Sequence, residues 1–249
     1  MIAGIDFGSS MTDLVVLDKK DIVYRISCKE PAEAIKIMKR FKLEKVVSTG
    51  AYASKYKYKR VDEIKAIGKG GLFVSGAKKA LVVSVGSGTA MVSCDKRIKH
   101  IGGTPIGGKT LEGLGKLLIG TSDVMQLESM AEKGRINNVD LMIKDIYPKG
   151  IGLLSSKASA AHFGKLKDYN KNDIALGLIN MAAQSIGTLA VLGAKAFGHK
   201  KIVLTGGLTK LNMFRKVIQE RINTLSDIPV EIPKNSSVAT AIGAAVGYA

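Results

Sequence analysis

Residues 1–20 read MIAGIDFGSSMTDLVVLDKK: an apolar run reaches Asp6, turns through Gly8, Ser9 and Ser10, and becomes a second apolar run ending in charge at Asp18 and Lys19. The three slim turn residues carry N–H and hydroxyl groups that can converge on a small anion such as a phosphate. Taken alone, the stretch is also a plain hairpin turn. Residues 80–97, ALVVSVGSGTAMVSCDKR, repeat the plan, with Gly86, Ser87, Gly88 and Thr89 at the turn and Asp95-Lys96 in the place of Asp18-Lys19. A third glycine turn, Gly206-Gly207, follows another apolar run in KKIVLTGGLTK and precedes a helix-like run, LNMFRKVIQERINTLS. Halves that each open with strand, turn and strand predict two α/β domains, residues 1–79 and 80–249. Between them lies a cleft suited to a nucleotide's phosphates.

The chain of 249 residues is long enough to bury one large core or two modest ones. Its two cysteines, Cys28 and Cys94, are far apart and match no metal spacing, which points to a reducing compartment without a disulfide framework. Met1 leads directly into a strand pattern with no secretory signal, so a cytoplasmic location is expected. Residues 174–194 carry no charge and could cross a bilayer by length. Asn180, Gln184 and Ser185 sit in their middle and Asp173 and Lys195 bracket them, so they read as a buried central helix and no membrane is expected.

The net charge is +17, and KYKYKR at 55–60 interleaves tyrosine with base. The basic residues are spread along the chain, and alternating Lys and Tyr describes a half-buried segment with its charges in water. No zinc-finger spacing, aromatic RNA-binding strand or recognition helix accompanies them, so no nucleic-acid partner is expected. A basic surface also suits anionic ligands such as ATP or coenzyme A.

The periodicity predicts strands near 2–7, 12–18 and 21–27. A helix follows through EPAEAIKIMKRF, with Pro31 near its start and Ala34, Ile35, Met38 and Phe41 on its apolar face. The strand KVVSTG comes next, and then a helix in VDEIKAIGKGGLFVSG that Gly68, Gly70 and Gly71 are expected to end. In the second half, ALVVSVG and AMVSC lead into the glycine-rich run HIGGTPIGGKTLEGLGKLLIG, followed by helices in DVMQLESMAEKG and NNVDLMIKDIY. After a loop come the long helix, KIVLTGG, an amphipathic helix, the strand PVEIP and a small-residue helix, SSVATAIGAAVGYA.

GIDFGSS, VVSVGSGTA and VLTGG resemble the phosphate-1, phosphate-2 and adenosine elements of the actin-like ATPase and sugar-kinase superfamily. More narrowly, VDEIKAIGKG, SVGSGTAMV, GGTPIGGKTLEGLGKLLIG, SSKASAAHFGK and DIALGLINMAAQSIGTLAVLGAKA, in that order, resemble type II pantothenate kinases. The resemblance implies duplicated ribonuclease H-like domains around a cleft. It implies phosphorylation of pantothenate to 4′-phosphopantothenate by ATP with Mg2+, the first step of coenzyme A synthesis. It further implies a homodimer, with coenzyme A or an acyl-coenzyme A as a regulator to be considered.

By the same resemblance Glu63 is the general base, and Asp6 holds magnesium directly or through water, as a hard cation that keeps several waters allows. Gly8, Ser9, Ser10, Ser87, Gly88 and Thr89 face the phosphates, and Ser84 the substrate. Thr104, Gly107 and Gly108 lie at a helix N-terminus that favours an anion, and Gly206 and Gly207 lie at the adenosine.

Three positions depart from the family pattern. His100 stands where an arginine usually precedes Gly-Gly-Thr, and a largely neutral imidazole cannot replace a bidentate guanidinium. Asp13 stands where a lysine is common, and Lys109 replaces a third glycine. Lys109 is therefore expected to restore the charge missing at His100, which places both residues on the substrate side. Two further readings follow from these departures: a kinase with another small-molecule acceptor, and a nucleotide- or coenzyme A-binding module without catalysis. The iron–sulfur activator ATPases of the same superfamily are disfavoured, because Cys28 and Cys94 sit in different halves. Phe163 is expected in the core, and His162 and His199 are expected to be structural.

Overall fold

The computed structural model describes residues 1–152 and 155–247. The N-terminal strands are β1 (Ile2–Phe7), β2 (Thr12–Asp18) and β3 (Asp21–Cys28); helix α1 (Pro31–Met38) and strands β4 (Lys45–Thr49) and β5 (Lys59–Arg60) follow. They form a sheet in the order β3-β2-β1-β4-β5. Helix α2 (Glu63–Ser75) leads to β6 (Ala80–Val85), β7 (Thr89–Cys94) and β8 (Ile98–Thr104). Then come α3 (Gly108–Ile119), α4 (Val124–Ala131), the short pair β9 (Leu141–Met142) and β10 (Ser159–Ala161) around α5 (Ile143–Ile146), and the long α6 (Lys171–Ala196). Strand β11 (Ile202–Thr205), α7 (Asn212–Leu225), β12 (Val230–Glu231) and α8 (Ala239–Val246) close the chain. The second large sheet runs β12-β11-β6-β7-β8.

The two orders are the same order. In each sheet three antiparallel strands are extended by two parallel ones, so β1 corresponds to β6 and β4 to β11. The duplicated α/β architecture expected of the actin-like superfamily is therefore present. Both central strands are near-continuous apolar runs because both their faces are covered; every residue of β6 is buried.

The covering helices are exchanged between the halves. Helix α2 lies on the second sheet, with Ile67 in one apolar cluster with Val82, Val92 and Val203. Helix α8 lies on the first, with Ile242 and Ala245 packed among Val15 and Leu17. The two helices meet in a seam of small residues. A Cβ on Gly70 would lie 1.8 Å from the carbonyl oxygen of Ala239, and one on Gly243 1.8 Å from that of Ala66. Here the glycines expected to end α2 are what let it run on. The helix continues through Gly68, Gly70 and Gly71 and stops at Gly76, which takes φ +62° as a left-handed cap.

The other face of the second sheet carries α6. Ile174, Leu178, Ile179, Ala182, Ile186 and Ala190 are buried there against α3, α4 and α7, which explains the uncharged stretch without a bilayer. Two expectations are corrected. HIGGT is an edge strand, β8, paired with β7, and NNVDLMIKDIY is a 3-10 turn, β9 and the one-turn α5 rather than a helix. The fully buried Asp140 organises that segment, since its carboxylate accepts from Ser159, His162, Asn180 and the Phe163 N–H. In the closing small-residue segment, Tyr248 and Ala249 lie outside the described residues.

Candidate functional site

The duplication puts corresponding residues at the ends of the central strands. Across the first sheet the register places Thr49, Asp6, Asp13 and Ser27 in one row, and across the second Thr205, Ser84, Ala90 and Gly103. Directly paired residues share a face of a sheet, so each row presents its side chains together. Gly50 and Gly206, the residues after β4 and β11, both adopt φ +94°. At neither is there space for a side chain: a Cβ on Gly50 would sit 2.2 Å from Asp6 Oδ1, and one on Gly206 2.5 Å from the Val85 carbonyl oxygen.

Three buried side-chain atoms at these strand ends have no hydrogen-bond partner: Asp6 Oδ1, Thr49 Oγ1 and Thr205 Oγ1. Buried polar atoms are normally satisfied, so orphans at the ends of the central strands of both sheets point to a ligand. Burial, and then the charges of Asp13 and Glu63, push the Asp6 carboxyl up to about 8. A buried carboxylate beside two further acids suits a divalent cation. Among the described residues no three His, Cys, Asp or Glu side chains gather as a cage, so Asp6 fits the one-carboxylate style of magnesium site.

The two glycine turns meet across the cleft. Ser87 Oγ lies 2.7 Å from Ser9 Oγ and 2.9 Å from Ser10 Oγ. Within the second turn Gly86 N–H donates to Gly88 O, and Thr89 Oγ1 donates to Ile106 O. The N-terminus of α3 holds this turn. The Gly108 N–H donates to Gly86 O at 2.8 Å, the Lys109 N–H to Ser87 O at 3.1 Å, and the Gly107 N–H to Thr110 Oγ1. Gly107 approaches Gly88 so closely that a Cβ would lie 2.6 Å from its Cα. In this structure Gly107 and Gly108 thus shape the second glycine turn, and Thr104 Oγ1 accepts from Ile106 N–H in the loop leading there.

Glu63 opens α2 behind the cap residue Asp62, whose carboxylate accepts from the Lys65 N–H. Desolvation and then Asp62 raise the Glu63 carboxyl above its ordinary range. Ser84 is buried in the row beside Thr205, and Gly206 and Gly207 lead into the turn after β11. His100 is exposed on the edge strand β8, opposite Val92. Lys109 Nζ is paired with Glu112 at 2.6 Å, so its charge is engaged locally. Phe163 packs against the α6 core, His162 bonds Asp140, and the buried His199 pairs with Ser93 at 2.7 Å.

Asp13 finds its compensation from the other half of the molecule. Lys210, after β11, places Nζ 3.0 Å from Ser27 Oγ, and Ser27 in turn bonds Asp13. Burial raises the Asp13 carboxyl, while Ser27 and Lys210 pull it down. The reversed charge is thus met by a cation reaching across the cleft. Sequence reasoning missed Lys210, Thr49 and Thr205, although the shared Thr-Gly of VVSTG and IVLTGG marks two of the three.

Duplicated sheets, paired glycine turns and a buried carboxylate at the end of the first strand define a member of the actin-like ATPase fold. A solved structure with this fold is the activator of the 2-hydroxyisocaproyl-CoA dehydratase from Clostridium difficile with bound ADPNP. It matches with a TM-score of 0.72 and 18% identity, over 99% of this chain and 93% of that one. In this chain both cysteines are buried and free.

The chain belongs to the Fumble family, that of the type II pantothenate kinases, whose model matches residues 77–229. It is 37% identical over 139 residues to pantothenate kinase 1 of Arabidopsis thaliana, covering 51% of this chain and 36% of that protein. It is also 32% identical over 181 residues to the type II pantothenate kinase of Oceanobacillus iheyensis, covering 68% of each. The chain spans about a third of the Arabidopsis protein's length.

Proposed function

We propose that this protein transfers the γ-phosphoryl group of ATP to the hydroxyl of pantothenate, giving 4′-phosphopantothenate and ADP. The observation that carries the reading is the buried, unpartnered Asp6 Oδ1 at the foot of two facing glycine turns, electrostatically coupled to Glu63. Phosphoryl transfer asks the protein mainly to position the nucleophile and offset charge. Asp6 would hold Mg2+, which would offset the negative charge of the phosphates.

The remaining work belongs to the chain's own groups. Gly8, Ser9, Ser10, Ser87, Gly88 and Thr89 embrace the phosphates, with the three serine hydroxyls exchanging their mutual bonds for phosphate oxygens. Gly207, with nothing within 4 Å of the place a Cβ would take, leaves room for the adenosine, and Gly206 makes the tight turn that leads to it. Ser84 orients the acceptor. Glu63 takes the hydroxyl proton as the new O–P bond forms and the bond to the β-phosphate oxygen breaks. Its raised carboxyl pKa moves a weak base toward working pH.

A cytoplasmic location, a homodimer and regulation by coenzyme A or an acyl-coenzyme A belong to the same proposal. Buried free cysteines support the first, and exposed Leu189, Leu192 and Phe197 along and just after α6 support a subunit contact. The test is 31P NMR of a reaction with Mg·ATP and pantothenate. A new phosphomonoester signal that requires pantothenate is expected. ADP and inorganic phosphate without that signal would show transfer to water and count against pantothenate as the acceptor, and binding of an ATP analogue without turnover would show a module without catalysis.

A further inference from the structure

Glu63 borders a cavity of about 390 Å³, within the size range of small-molecule sites. One side is the loop after β4, with Gly50, Ala51, Ala53 and Ser54, and the other is the run from Arg60 to Glu63. The Gly50 wall is bare backbone directly over the unpartnered Asp6 Oδ1. The cavity therefore adjoins the phosphate end of the site and the candidate base at once. Its one lining cation is Arg60, exposed at the end of the edge strand β5. Among the described residues the Arg60 guanidinium makes no ion pair, whereas Asp62 is engaged with the Lys65 N–H.

We propose that this cavity is the acceptor subsite and that Arg60 is its specificity residue, gripping a carboxylate at the end of the acceptor remote from the reacting hydroxyl. This rests on the phosphotransferase reading above, whose acceptor is a short aliphatic hydroxy acid, and adds the residue that selects for its carboxylate. Arg60 and Glu63 are three residues apart, so at most about 10 Å separates their Cα atoms, the reach of such a molecule. Ala51, Ala53 and Val61 supply an apolar wall for its chain, and a guanidinium fork matches a carboxylate with two parallel hydrogen bonds. Lys109, engaged with Glu112, and the exposed His100 do not line this cavity.

The experiment compares wild type, Arg60→Gln and Arg60→Lys with pantothenate and with pantothenol, which has an alcohol in place of the carboxylate. Affinity for a non-hydrolysable ATP analogue is measured alongside. For Arg60→Gln we expect KM for pantothenate to rise about tenfold or more, kcat and analogue affinity to hold, and pantothenol kinetics to stay as in wild type. Arg60→Lys should recover part of the loss. Equal changes for both acceptors, or no change for either, overturn the proposal.

If wild type phosphorylates neither compound, the pantothenate assignment fails separately. Thermal shifts with a panel of short hydroxy acids and their amides then decide the matter. Stabilisation by an acid that is lost in Arg60→Gln supports the subsite. An absence of Arg60-dependent stabilisation across the panel overturns it.

Discussion

Alanine in place of glycine normally stabilises an exposed helix by about 1 kcal/mol, because glycine sacrifices more backbone entropy on folding. In the α2–α8 seam the sign should reverse. A Cβ at Gly70 or at Gly243 meets a carbonyl oxygen at 1.8 Å, about 1.6 Å short of ordinary contact at 3.4 Å. The obstacle is backbone on both sides, so no side chain can swing away. Separating the helices would strip contact from Ile67, Ile242 and their neighbours, and gaps of 0.5–1 Å already forfeit about a quarter to a half of the dispersion well. With rigid backbone at 1.8 Å on both sides the cost lies at the upper end of the usual overpacking range, about 3 kcal/mol, against the gain of about 1 from propensity.

We therefore expect Gly70→Ala and Gly243→Ala each to lose about 2 kcal/mol, or roughly 4–8 °C in Tm for a chain of this size. Gly113 is the control. It lies exposed in α3 with nothing within 4 Å of the place a Cβ would take, and Gly113→Ala should gain about 1 kcal/mol. Urea unfolding with an unchanged m-value, repeated by thermal melting, reads all three variants. If Gly70→Ala proves as stable as wild type, the close seam is wrong. If all three variants move together, the difference argued from packing is wrong.

Other outcomes follow from the site. The folded-state pKa of Asp6, about 8, lies above its ordinary 3.8, so its contribution is fully present below pH 3.8 and is lost as pH rises through 8. In EDTA, Asp6→Asn should therefore be more stable than wild type by up to about 4 kcal/mol at pH 7, the two converging toward pH 4. Melting curves across that range check this, and a pH-independent difference would contradict it. Lys210→Met, which leaves Asp13 and Ser27 uncompensated, should weaken binding of an ATP analogue about three- to tenfold, with Asp13→Asn restoring most of the loss. Calorimetric titration of the single and double variants measures that coupling, and strictly additive effects would refute it.

The elements that were legible in the sequence are those whose evidence is local and repeated. The strand–turn–strand at 1–20 and its copy at 80–97 announce themselves by apolar runs and slim turn residues, and their duplication carries the whole sheet order. What was not legible depends on distant partners. Gly70 reads as a helix breaker until its neighbour Ala239, 169 positions away, is seen lying against it. Strand β8 hides in HIGGT because glycine has poor strand propensity, and only pairing with β7 makes it a strand. NNVDLMIKDIY has helical spacing, but the hydrogen bonds converging on Asp140 draw the chain into another path. In the site, Lys109 invited a substrate role, yet Glu112 stood three residues on in the same helix. The compensating Lys210 and the cavity-lining Arg60 acquire meaning only once the fold brings them to the cleft and to Glu63.

The proposed reaction is tested at its core by transfer of labelled γ-phosphate from Mg·ATP to pantothenate by wild type and by Glu63→Gln, with ATP-analogue affinity measured for both. Labelled phosphopantothenate from wild type, a loss of turnover of about a hundredfold or more in the variant, and equal analogue affinity are expected. Transfer that survives the substitution undiminished would contradict the role given to Glu63, and analogue binding without transfer in wild type would contradict the pantothenate assignment itself.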